Sequence, residues 1–114
     1  MGGKIMGYAH YGVLAVDPEK YSKKDLKPWF DKWKDYFDDV ISEETRTVFI
    51  VDWAKGGFEV FEDFESNYAL KDEDGYTESD TYGYVLLGES DDDVEQGGEP
   101  WEFDINLTRG IEVY

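Results

Sequence analysis

A chain of 114 residues with 28 acidic and 11 basic side chains carries a net charge of −17, and 40% of it is apolar. That is enough for one modest core, so a single domain over residues 1–114 is expected. With no cysteine, disulfide scaffolds, thiol catalysis and cysteine-ligated zinc are excluded, and a lone histidine, His10, argues against a histidine-built metal site.

Residues 4–16 (KIMGYAHYGVLAV) are rich in β-branched and aromatic types and end at Asp17-Pro18, a turn signal, so they predict a strand. Leu26, Trp29, Phe30, Trp33, Tyr36, Phe37, Val40 and Ile41 then recur at helical spacing and predict one amphipathic helix. Lys27, Asp31, Lys32, Lys34, Asp35, Asp38 and Asp39 fill its other face. Asp25 can cap this helix, with Pro28 in the first turn; Ser22 with Asp25 is an alternative capping-box start. Residues 46–53 (RTVFIVDW) predict a buried strand, followed by a turn at Lys55-Gly56-Gly57. Over 58–68, Phe58, Phe61, Phe64 and Tyr68 fit a helical face, but the residue types and the preceding glycines favour a return strand at 58–64. Residues 71–80 (KDEDGYTESD) and 88–100 (GESDDDVEQGGEP) read as acidic solvated loops. Residues 81–87, 101–107 and 111–114 complete the predicted strands. The expected architecture is α+β, one helix packed on an antiparallel sheet of four to six strands.

Net charge speaks to partners rather than to fold. Direct nucleic-acid binding is disfavoured, because phosphate contacts need Lys and Arg, and so is docking on an anionic membrane. The longest apolar runs, 13–16 and 48–51, fall far short of the roughly 20 residues of a bilayer span. The expected compartment is the cytoplasm. The charge is also segregated. Residues 1–34 hold seven Lys and four acids, whereas 35–114 hold 24 acids and only Arg46, Lys55, Lys71 and Arg109.

Among 28 acids some carboxylate pair meets glycosidase spacing by chance, and no pair is marked as buried, so catalysis is not expected. An EF-hand starting at Asp72 would need an oxygen ligand at its fifth position, glycine at its sixth and glutamate at its twelfth; Tyr76, Thr77 and Gly83 stand there instead. Neither a metal nor another cofactor is expected. The expected partner-binding set is Glu59, Glu62, Asp63 and Glu65, then Asp91, Asp92 and Asp93, and finally Glu99, Trp101, Glu102 and Asp104. On a strand, Glu102 and Asp104 would lie about 6.6 Å apart on one face, opposite Trp101 and Phe103. Regular negative charge of this kind imitates a nucleic-acid backbone, and exposed tryptophan is a favoured interface residue.

In size, acidity, aromatic content and lack of a catalytic motif the chain resembles the small acidic counter-defence proteins of phages, the anti-CRISPR and anti-restriction DNA mimics. The resemblance carries no residue pattern and transfers no site. It implies a non-enzymatic inhibitor of a basic, nucleic-acid-binding host complex, a CRISPR effector or restriction system. The competing readings are an immunity or antitoxin protein that plugs a basic nuclease, and a small acidic calcium-binding module.

Overall fold

The run Gly12-Val13-Leu14-Ala15-Val16 offers no polar side chain to water, so a strand made from it has to be covered on both faces. The computed structural model describes residues 9–90, 92–107 and 111–113 and places this run centrally. It contains strands β1 (Ala9–Val16), β2 (Asp39–Ser42), β3 (Thr47–Lys55), β4 (Tyr82–Leu87) and β5 (Val94–Gly98). They form one antiparallel sheet in the order β2-β3-β1-β4-β5. Two helices, α1 (Lys23–Trp33) and α2 (Phe58–Asn67), cover one face. There Leu14, Val16, Phe49, Tyr82, Tyr84 and Leu86 pack with Leu26 and Trp29 of α1 and with Val60, Phe61 and Phe64 of α2. On the other face Val13, Ala15, Val48 and Val85 are covered by Phe103 and Ile105. Those two residues belong to a 3-10 turn, Pro100–Phe103, and to the ribbon of β6 (Ile105–Leu107) with β7 (Ile111–Val113). The α+β class and the antiparallel sheet are as expected. Positions 4–8 of the first predicted strand and Tyr114 of the last lie outside the described residues.

Four expectations need correction. The first helix stops at Trp33, tightens into a 3-10 turn over Lys34–Tyr36, and does not include Val40 and Ile41. Those two β-branched residues pair with Phe49 and Val48 as the edge strand β2. Asp35, Asp38 and Asp39 would also have faced the negative end of a continued helix dipole. At its other end Ser22, not Asp25, is the N-cap. The Ser22 hydroxyl accepts from the Asp25 N–H at 3.1 Å, while the Asp25 carboxylate accepts from the Ser22 N–H at 3.2 Å. Pro28 therefore falls in the second turn.

Second, residues 58–64 are helical, so among the described residues two helices rather than one pack on the sheet. The Gly56-Gly57 turn folds directly into helical bonds, with Glu59 N–H donating to the Gly56 carbonyl and Val60 N–H to that of Gly57. Helical spacing buries Val60, Phe61 and Phe64 together, which a strand would split between two faces. Trp29 Nε1 donates to the Val60 carbonyl at 2.9 Å and fixes α1 against α2. Third, 101–107 is not one strand. Pro100 suits the first turn of a 3-10 helix, Phe103 turns inward, and Asp104, at φ +58°, ends the turn before β6. Fourth, the predicted loop at 88–100 holds β5, which pairs with β4 along its whole length.

Two local features matter below. A Cβ at Gly12 would overlap the Phe61 ring, so α2 sits as close to β1 as a glycine permits. Gly12→Ala is expected to destabilise the fold by about 1–3 kcal/mol through overpacking. Urea denaturation followed by circular dichroism checks this; an unchanged midpoint would contradict the close approach. The second feature is a bulge. His10 pairs with Ala54 and Gly12 with Val51, which leaves Tyr11 opposite both Asp52 and Trp53. Trp53 sits in this bulge at φ +48°.

Candidate functional site

Because α2 buries Val60, Phe61 and Phe64, it turns Glu59 and Glu62 outward, one turn apart on the same side. Neither α2 nor β5 carries a Lys or Arg, whereas α1 carries Lys23, Lys24, Lys27 and Lys32. The segregation seen along the chain thus becomes a segregation across the sheet. The lysines of α1 lie over the β2–β3 half, mixed with exposed acids such as Asp31 and Asp39, whereas α2 and β5 bring carboxylates without bases to the β4–β5 half.

Not every predicted acid is displayed. Asp63 is half-buried between the helices. Its Oδ2 accepts from Trp33 Nε1 at 2.7 Å and lies 3.6 Å from Lys32 Nζ, while Oδ1 accepts from Asn67 Nδ2 at 2.6 Å. Burial pushes its pKa up, but the bonds from Trp33 and Asn67 and the Lys32 charge outweigh burial and hold the carboxyl below its ordinary range. Asp63 ties α1 to α2. Glu65 is also half-buried, with Oε2 accepting from the Tyr82 hydroxyl at 2.6 Å and Oε1 from that of Tyr84 at 3.3 Å. It lies over Gly97 of β5, where any Cβ would overlap the Tyr84 ring and crowd the carboxylate. That packing explains a glycine inside a strand, the residue that made this segment read as a loop.

Burial, and then the hydrogen bond to Glu65, push the Tyr82 phenol well above its ordinary pKa; burial and the Glu65 charge do the same for Tyr84. Both phenols therefore stay protonated as donors. A raised pKa in the folded state stabilises fully below the unfolded value of 10.0, and that contribution is lost as pH rises past it. Stability is expected to fall above pH 10, with Tyr82 and Tyr84 ionising only as the fold is lost. Tyrosinate absorbance recorded alongside circular dichroism tests this; complete titration of all nine tyrosines before unfolding would contradict it.

The remaining predicted residues surround the β4–β5 half. Glu99 is half-buried, and its Oε2 accepts from Ser79 Oγ at 2.7 Å. Asp92 is exposed and accepts from Ser90 Oγ at 2.9 Å. Asp93 Oδ2 lies 3.6 Å from His10 Nε2. Asp91 lies outside the described residues. Trp101, Glu102 and Asp104 are exposed on the opposite face of the sheet from α2, with Trp101 at 59% exposure. Since 100–103 is a 3-10 turn, Glu102 and Asp104 do not form the even ladder expected of a strand. Sequence reading missed Glu95, exposed in the middle of β5 and close enough to Tyr84 to add to its shift. The apolar–polar alternation of Val94-Glu95 was its one signal, masked by the following glycines.

Between described residues, three ion pairs form, Lys27–Asp31, Lys32–Asp63 and Arg46–Glu43, and the His10 ring lies against Asp93. Most carboxylates of the described residues are exposed, so the flank presents largely uncompensated negative charge. A cleft of about 430 Å³ lies at the other end, between α1 and β2. It is floored by Leu26, Phe30, Val40 and Phe49 and rimmed by Lys23 and Lys27. Among the described residues no group of three or more His, Asp or Glu is placed to hold a metal ion. In the 71–80 loop, Asp72 Oδ1 accepts from the Asp74 and Tyr76 N–H groups, which turns this carboxylate to the loop's own backbone. No helix among the described residues is long and apolar enough to cross a membrane.

No family model, curated protein or solved structure matches this chain.

Proposed function

We propose that this protein is a non-enzymatic acidic inhibitor that occupies the basic nucleic-acid-binding site of another protein. The target class is a host defence complex such as a CRISPR effector or restriction system. The observation that carries the reading is uncompensated carboxylate charge on ordered elements. Glu59 and Glu62 sit on a helix clamped by Trp29 and Asp63, and Glu95 sits on a strand paired along its length.

DNA presents one charge per roughly 3.4 Å along each strand, and a groove that binds it is lined with Lys and Arg. A rigid acidic surface enters such a groove with little ordering entropy left to lose. It also profits from the long-range steering that serves the polymer. Inhibition is then stoichiometric, without turnover, and depends on the rigidity of the scaffold as much as on its charge.

Affinity capture on the immobilised full chain from a bacterial lysate, with mass spectrometry, tests the proposal. The expected catch is a nucleic-acid-binding protein that duplex DNA displaces. A captured protein that holds DNA and this chain together would overturn the reading. If the captured protein is a nuclease whose cleavage is blocked while its DNA binding persists, the active-site plug replaces the groove mimic.

A further inference from the structure

A tryptophan at φ +48° is a conformation that bulky residues seldom adopt, because Cβ crowds the following carbonyl. Burial does not explain it, since Trp53 is 48% exposed. The bulge that creates it lifts the indole beside the Tyr11 ring, with centroids 5.9 Å apart and planes tilted by 44°. Asp52 precedes it in the bulge and is exposed, and Asp38, at the entrance to β2, is exposed too. Asp52 lies opposite Tyr11 across the bulge, and the Asp38 N–H donates to the Ile50 carbonyl of the same strand at 2.7 Å; burial, and then these two charges, raise the pKa of the Tyr11 phenol. Tyr11 stays a neutral ring, and Ile50 and Leu87 pack nearby at the margin of the same face.

Two tilted aromatic faces flanked by two carboxylates are the elements of a cation-binding subsite. We infer that Tyr11, Trp53, Asp52 and Asp38 form a receptor for an arginine side chain. Arginine is favoured over lysine because its planar, weakly hydrated guanidinium stacks on an indole while its N–H groups donate to a carboxylate. The natural occupant, an arginine from the basic partner, rests on the function proposed above; the recognition chemistry itself does not. The bulge is then a presentation device, in which the strained backbone aims the ring at a partner.

The test uses the full isotope-labelled chain and two peptides of equal charge, Ac-Gly-Arg-Gly-Arg-Gly-NH2 and its lysine counterpart. Binding is followed at the Trp53 indole N–H by NMR at low salt. The arginine peptide is expected to bind about threefold more tightly than the lysine peptide, the scale of one exposed cation–π contact. Trp53→Leu should abolish that preference and Trp53→Phe should keep part of it. Trp53→Gly suits the left-handed backbone, so its melting temperature is expected to stay within about 5 °C of the parent. Equal affinity for the two peptides in the parent and in Trp53→Leu would overturn the receptor and leave the acidic-inhibitor reading standing. A large fall in melting temperature for Trp53→Gly would assign the indole to packing and also overturn it. Absence of binding by either peptide would count against both.

Discussion

Trp29→Ala is expected to remove about 3–5 kcal/mol of stability, the usual cost of emptying a buried aromatic site. A domain of this size holds about 5–15 kcal/mol in total, so this single change should leave a large fraction of the chain unfolded at modest urea concentration. Trp29 is fully buried and meets Phe37, Phe49 and Phe64 with ring centroids 5.2, 5.0 and 5.4 Å away. Its indole also satisfies the Val60 carbonyl, which the variant would leave buried without that donor. The loss therefore combines a cavity with a broken helix-to-helix link. Added salt should recover part of it, because screening relieves the self-repulsion of a chain at −17. Urea titrations at low and high salt check both statements; a midpoint close to that of the parent would mean that α1 and α2 are held elsewhere.

The second large effect separates location from quantity of charge. Glu59→Gln, Glu62→Gln and Glu95→Gln together remove three exposed charges from the α2–β5 flank. Asp35→Asn, Asp39→Asn and Glu44→Gln remove three from exposed positions at the β2 end. The first set is expected to weaken binding of the captured partner by about a hundredfold, about 1 kcal/mol for each charge lost while the amide keeps a neutral acceptor. The second should act mainly through weaker steering, with the change confined to association rate. Isothermal titration with both triple variants, each checked by circular dichroism, decides it. Equal losses would show that only total charge counts.

Much of the fold was legible because burial wrote itself into period. The apolar run of β1 required cover on both faces, and the stripe from Leu26 to Trp33 could only be a helix. Reading failed where a local signal had two meanings. Phe61 and Phe64 suit a strand by type and a helix by spacing, and the contact of Phe61 with Gly12, a tertiary fact, decided between them. The glycines of β5 signalled a loop, yet Gly97 is small because Tyr84 and Glu65 lie over it. Charge segregation was visible in the chain, but which acids are displayed was not. Asp63 and Glu65 face inward because Trp33, Tyr82 and Tyr84 come to them from other parts of the sequence. The strained backbone of Trp53 had no sequence signal, since it arises from the register of β1 against β3.

The most direct test of the central claim is the salt dependence of partner binding, measured from about 50 to about 500 mM in parallel with duplex DNA competition. An acidic surface in a Lys- and Arg-lined groove predicts that affinity falls steeply over this range and that DNA and this protein exclude each other at every concentration. An affinity that stays flat while DNA remains bound would contradict it, and would assign binding to the aromatic side chains and acidity to solubility alone.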